Sequence, residues 1–180
     1  FIWRFMLSAR EIKVSVLESE IQGITEDIIK QKLPVGFPDF VIYILSELCA
    51  NIREHSRAKS CDIMIILNKG NMTLKVEDNG IGFRNSYLFN KKHAKDDRSA
   101  VMLALSGLST KNLNERAFGL YSVRRLVEHQ KGEMAIESGN CGVDISDNKM
   151  GFREIKKIRK GVYINIGTKI SAINIYNIIK

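Results

Sequence analysis

The chain has 180 residues, room for one ordinary domain, with 44% hydrophobic and 27% charged residues and a formal net charge of +8. Its three cysteines, Cys49, Cys61 and Cys141, are scattered and form no CxxC; this argues against a disulfide framework or a zinc site and points to a reducing, cytoplasmic setting. The apolar start, Phe1 to Leu7, is too short to span a membrane and lacks the layout of a signal peptide; no membrane insertion is expected.

Two prolines and no Ser/Gly-rich run leave no flexible linker, and no repeat is visible. Beginning on Phe1, the sequence reads as a fragment or a processed chain. The positive charge directs attention to anionic partners. It concentrates at Lys91-Lys92-His93-Ala94-Lys95 and from Lys149 to Lys160. Such runs are ordinarily solvated loops and strand faces, so charge alone does not make a nucleic-acid protein.

In chain order, alternation of Ile12, Val14 and Val16 predicts a strand over Glu11 to Leu17, and a helix follows over Ile21 to Lys32, ending before Pro34. Gly36 and Pro38 open a longer helix, about Asp39 to His55. Strands Cys61 to Leu67 and Met72 to Asp78 flank a Lys69-Gly70-Asn71 turn. Residues 84 to 117 form a polar segment, long for a loop and therefore functional or mobile, with an apolar patch at Val101 to Leu105. A helix from Phe118 to His129 carries Val123, Leu126 and Val127 at helical spacing. Strands are expected at Glu133 to Ile136, Phe152 to Ile158, Val162 to Ile166 and Thr168 to Ile175. Helices first, strands last and hairpins throughout predict an α/β sandwich with helices on one face of a mixed sheet.

Two places carry chemistry. On the long helix, Val41, Ile44, Leu45, Leu48 and Ile52 form the apolar stripe, while Glu47, Asn51 and His55 form a row, each residue roughly 40° further round, drifting onto the stripe's edge. Such a row either makes ordinary i,i+4 pairs at the surface or lines a cleft. In the second case Glu47 polarises a hydroxyl or water and the Asn51 amide oxygen suits Mg²⁺. The second place is Asp78: strand alternation turns this carboxylate inward, where an apolar residue belongs, and Gly80 and Gly82 follow at once.

Together, Glu47-x-x-x-Asn51-x-x-x-His55 and Asp78-Asn79-Gly80-Ile81-Gly82 resemble the N and G1 boxes of the GHKL superfamily of ATPases and kinases (gyrase, Hsp90, histidine kinase and MutL types). Ala117-Phe118-Gly119-Leu120-Tyr121-Ser122-Val123 looks like the G2 box, and Gly167-Thr168-Lys169-Ile170 like the last box. Ser109-Thr110-Lys111 is similar to a lid motif of many members. The resemblance covers about Asp39 to Ile175. No P-loop, GxGxxG, HExxH, GxSxG or EF-hand pattern competes.

The resemblance implies a two-layer Bergerat-type sandwich over residues 1–180: an N-terminal strand and helix (1–35), N and G1 boxes (36–83), a mobile ATP lid (84–118), and the G2 helix with closing strands (119–180). It implies ATP and Mg²⁺ as ligands. Asp78 would accept the adenine amino group, Gly80 and Gly82 would admit the nucleotide, and Thr168 would support the Asp78 end. Asn51 would hold Mg²⁺, Glu47 would be the general base, and His55 would border the nucleotide. Gly119 and Leu120 would offer backbone N–H groups to phosphate, with Lys111 and Arg116 as lid cations. Ala117 stands where the G2 box usually has its first glycine, which bears on lid closure.

Three functions follow from the resemblance. The Glu-x-x-x-Asn-x-x-x-His-Ser form favours a protein kinase, transferring the γ-phosphate to Ser/Thr of a partner or to His of a separate domain. The chain shows no helical pair carrying a phosphoacceptor His, so a stand-alone kinase or an excised domain is expected. The others are an ATP-gated binding module, favoured by Ala117, and a gyrase- or MutL-like clamp on DNA, for which the length leaves no transducer domain. A protein substrate or regulatory partner is expected, with homodimerisation open and nucleic acid less favoured.

Overall fold

The computed structural model describes residues 4–107 and 119–179. Strand β1 (Arg4–Lys13) leads into helices α1 (Leu17–Ile29) and α2 (Phe37–Asn51), the latter prolonged by a wider π-type turn over Ile52–Ser56. A hairpin follows, β2 (Ser60–Asn68) and β3 (Asn71–Asp78), then helices α3 (Gly82–Phe89), α4 (Asp97–Leu105) and α5 (Gly119–His129). Strands β4 (Glu133–Ser146) and β5 (Lys149–Lys169) close the fold.

Among the described residues the five strands make one sheet, ordered β1-β2-β3-β5-β4. Ile63, Ile65 and Leu67 of β2, Leu74 and Val76 of β3 and Ile166 of β5 are buried, whereas Met64, Ile66, Thr73, Lys75 and Asn165 on the other face are only partly covered. Alternation thus selects one apolar face, and the helices pack on it. The two-layer sandwich expected from the sequence is what forms. On α2, Phe40, Val41, Ile44, Leu45 and Leu48 are all at most 2% exposed, and α1 and α5 flank this helix.

The sheet is antiparallel at every pairing rather than mixed. The reason is topological. The three-helix connection from β3 to β4 does join strands of the same direction, but β5 returns between them and pairs with both. The parallel contact that a crossover ordinarily makes is therefore interrupted.

Other boundaries differ for local reasons. The sequence predicts a strand over residues 11–17, but β1 ends at Lys13 and α1 begins at Leu17. A bulge between Ala9 and Ile12 inverts the alternation, so Ala9 and Ile12 share one face. Glu11 sits at φ 52° in this bulge, its N–H donating to the Asp62 carboxylate at 2.7 Å. The expected lid segment carries α3 and α4, with Tyr87, Ala100, Val101 and Leu105 buried; residues 108–118 lie outside the described residues.

The last predicted strand, Thr168 to Ile175, stops at Lys169. Beyond it the chain turns onto the helical layer, where the Ile173 N–H donates to the Val35 carbonyl at 3.1 Å and Ile173, Ile175 and Ile178 are buried.

Residues 138–160, longer than a closing turn should be, continue β4 and β5 as a hairpin arm. Its two-residue turn, Asp147 and Asn148, has φ of 49° and 58° at both positions, matching the twist of the flanking strands. Cys141, Val143 and Ile145 on the inner side of the arm are buried, and α4 packs against β4. On the outer side Arg159 bonds both Glu77 and Glu137, and Arg153 bonds Glu137 and Asp144 at 2.8 and 2.9 Å, tying the arm back across β5 to β3.

Phe40 is fully buried at the centre of the helical layer. Phe40→Ala is expected to destabilise the fold by about 3–5 kcal/mol, read as a lower urea midpoint with an unchanged m-value.

Candidate functional site

Asp78 ends β3 as the fourth inward residue after Met72, Leu74 and Val76, and is 5% exposed. Its carboxylate Oδ1 accepts the Gly80 N–H at 2.8 Å, and the Val162 N–H donates to the carboxylate as well. Burial pushes its pKa up to about 6, against the downward pull of those two donors. The cost of turning a carboxylate inward is thus met partly by backbone N–H groups and partly by easier protonation.

The loop after Asp78 is fastened to the end of the α2 segment. The Ile81 N–H donates to the Ser56 carbonyl at 2.8 Å, and the Asn79 side chain accepts from the Lys59 and Ser60 N–H groups at 2.9 and 3.1 Å. Glycine is needed at position 80 because a Cβ would lie 2.2 Å from the Ser56 carbonyl oxygen. The backbone that approaches Gly80 is therefore the protein's own.

Gly82 lines the cleft beside these residues, with φ of 74°. A residue that sequence reasoning passes over, Gly161 of β5, has φ of 79° and would place a Cβ 2.0 Å from the Asp78 carbonyl oxygen. Its one visible sign is a glycine immediately before the alternating run Val162, Ile164, Ile166.

Asp78 forms the floor of a cleft between the sheet and the helices, with 820 Å³ of space including its open side. Leu48, Ile52, Val76, Leu120, Val162 and Ile164 make the walls apolar. Of the row Glu47, Asn51 and His55, the last two border it and Glu47 does not. The His55 imidazole lies 4.0 Å from the Glu54 carboxylate.

At the far side the first residue of α5, Gly119, meets the row: a Cβ there would lie 3.5 Å from the Asn51 Oδ1 and 3.7 Å from a Glu47 carboxylate oxygen. The first turn of α5 thus lies beside Glu47 and Asn51, and the positive end of a helix dipole favours anions.

Glu47 is half-buried, and burial raises its pKa; a hydrogen bond from the Tyr43 hydroxyl opposes the rise and Glu54 adds to it. Burial also raises the pKa of Tyr43, whose oxygen in turn takes a hydrogen bond from Ser122 of α5. Tyr43 lies one turn before Glu47, so the row is really Tyr43-Glu47-Asn51-His55. The signal in the sequence is the same spacing of four, read one step further back.

Thr168 does not join this group. It pairs with Met72, six positions from Asp78 on β3, which separates the two by about 20 Å. Its hydroxyl bonds the Lys169 carbonyl at 3.4 Å. Because β5 runs antiparallel to β3, each step from Val162 towards Thr168 leads away from Asp78. Lys111 and Arg116, with Ser109, Thr110 and Ala117, lie outside the described residues.

No helix among the described residues is long and apolar enough to cross a membrane. No curated protein is similar enough in sequence to match the chain. Among solved structures, the histidine kinase domain from Erythrobacter litoralis EL346 blue-light activated histidine kinase is similar at 14% identity and a TM-score of 0.39. That match covers 90% of this chain and 64% of the other, so the chain spans less than two thirds of its length. Residues 36–164, more than half of the chain and inclusive of α2, the Asp78 loop, the start of α5 and Val162, match the model of the histidine kinase-, DNA gyrase B-, and HSP90-like ATPases. The chain belongs to this family, as a GHKL-type ATP-binding domain.

Proposed function

We propose that this domain binds Mg·ATP in the cleft and passes the γ-phosphate to a protein side chain, a Ser/Thr hydroxyl of a partner or a His of a separate domain. The observation that carries this reading is the meeting of the Tyr43-Glu47-Asn51 row with the N-terminus of α5. That is where the anionic end of a nucleotide would lie if its base were held by Asp78.

The division of labour follows from each environment. Asp78 is the fixed acceptor in an otherwise apolar hollow and suits an exocyclic amino group. The N–H groups opening α5 at Gly119 and Leu120 suit phosphate oxygens. The Asn51 amide oxygen, beside the Glu47 carboxylate, is a hard donor that would hold Mg²⁺; the ion, when bound, neutralises phosphate charge.

Glu47 is the general base. Burial makes it more basic than a surface carboxylate, and Tyr43, itself held by Ser122, fixes its rotamer. It takes the proton from the acceptor hydroxyl as that oxygen bonds to the γ-phosphorus, and the bond from phosphorus to the ADP oxygen breaks. His55 lines the cleft and would border the bound nucleotide. Lys111 and Arg116 are the proposed lid cations on the strength of the sequence resemblance. The partner is a protein.

Asp78→Asn is expected to abolish ATP binding by calorimetry while making the protein more stable at pH 7. The sign follows from the raised pKa. In the wild type the native state holds the Asp78 proton to about pH 6, whereas the unfolded chain releases it near the ordinary 3.8. Stability from this group is therefore full below about pH 4 and is lost as pH rises through 6, by on the order of 3 kcal/mol. Urea midpoints measured between pH 4 and 8 should show this fall in the wild type and not in Asp78→Asn.

Glu47→Ala is expected to keep ATP affinity within a few-fold and to remove turnover; retained turnover would dismiss Glu47 as the base. With γ-labelled ATP and a cell extract, label on a second protein supports the kinase reading. Free phosphate alone would replace it with hydrolysis, and bound ATP with neither outcome would replace it with a gated binding module.

A further inference from the structure

Helix α3 follows the Asp78 loop and turns Gly82, Phe83, Ser86 and Tyr87 towards the cleft. Ser86 is the exception in this group. It is 5% exposed, and its hydroxyl, buried from solvent, meets no hydrogen-bond partner among the described residues. A serine within a helix commonly bonds the carbonyl one turn back; here that residue is Gly82, and no such bond forms. The Ser86 carbonyl by contrast is used, accepting both the backbone and side-chain N–H groups of Asn90, at 3.2 and 2.8 Å.

A buried hydroxyl without a partner is destabilising, and native structures rarely keep one without a reason. Beyond Ser86 the polar side chains of the cleft are those of Asp78, Asn51, His55, Ser56 and Tyr87, and the Ser56 hydroxyl is already bonded to the Ile52 carbonyl at 2.6 Å.

Position indicates which part of a ligand Ser86 would meet. Gly82 adjoins Gly161, which backs Asp78. Ser86 lies one turn of α3 further on, about 5–6 Å along the helix. A planar heterocycle whose amino group is held by Asp78 extends over that distance, whereas the phosphate end is directed to α5 on the other side.

Resting on the nucleotide reading above, we propose that Ser86 is a base-recognition residue: its hydroxyl donates to a ring nitrogen of the purine held by Asp78. The pair then reads the base as one donor and one acceptor, the amino group by the carboxylate and a ring nitrogen by the hydroxyl. Ser86 contributes specificity, and without a ligand its hydroxyl is unpaired among the described residues.

The test compares the wild type with Ser86→Ala for binding of ATP and 2′-deoxy-ATP by calorimetry, with thermal midpoints measured on both. The expected result is a fivefold to tenfold loss of affinity, about what one neutral hydrogen bond supplies, equal for both nucleotides. A thermal midpoint at or above that of the wild type should accompany it, since no internal bond is removed. Unchanged ATP affinity in Ser86→Ala, with the wild type binding normally, overturns the assignment while leaving the nucleotide site intact. A loss seen with ATP but not with 2′-deoxy-ATP moves the contact to the sugar and also overturns it. A wild type that binds neither nucleotide overturns both this proposal and the function on which it rests.

Discussion

The cleft depends on one contact, the packing of the Asp78 loop against the carbonyl end of the α2 segment. Ser56 offers its carbonyl to Ile81, and Gly80 leaves the space for it. Asn79 completes the seam by bonding both sides of the entry to β2. Helical layer and sheet are thereby fixed to one another where the floor of the site is formed. Without this seam Asp78 and Asn51 would belong to two elements with no defined spacing. The motif called a nucleotide box in the sequence is first of all a joint between layers.

Much of the pattern was legible because it rests on period alone. The inward turn of Asp78 follows from counting by two from Met72, and the row along α2 from counting by four. What escaped the sequence depends on breaks in period. The bulge at Glu11 inverts the alternation of β1, so the strand is misplaced by several residues. The Asp147-Asn148 turn joins two alternating arms that look like an irregular insertion until both positions are seen at positive φ. Position 168 was misassigned for a different reason. A Gly-Thr pair carries no information about register, and register decides which end of β3 it meets.

The chemistry of the site divides along the same lines. Glu47 and Asn51 acquire meaning only when α5 arrives from 70 residues away to set Gly119 against them. The sequence suggested that helix but not its approach. Tyr43 and Ser122 show how the approach is stabilised: one hydroxyl from each helix, in series, ends on the carboxylate. The ion-pair ladder from Glu77 through Arg159 and Glu137 to Arg153 lies mostly at the surface, where each pair contributes little. Its value is geometric, holding the arm in one orientation relative to β3.

The interposition of β5 between β3 and β4 has a kinetic consequence. The slot between β3 and β4 is filled by β5, which follows both in the chain, and its partner β3 precedes it by some 90 residues. Closing so large a loop is slow, and contacts of this range depress folding rates. Until Gly161 and Val162 reach Asp78, that carboxylate has only its local donor, the Gly80 N–H, and the cleft lacks a wall. The cleft is therefore among the final parts of the molecule to form, and its appearance reports completion of the sheet.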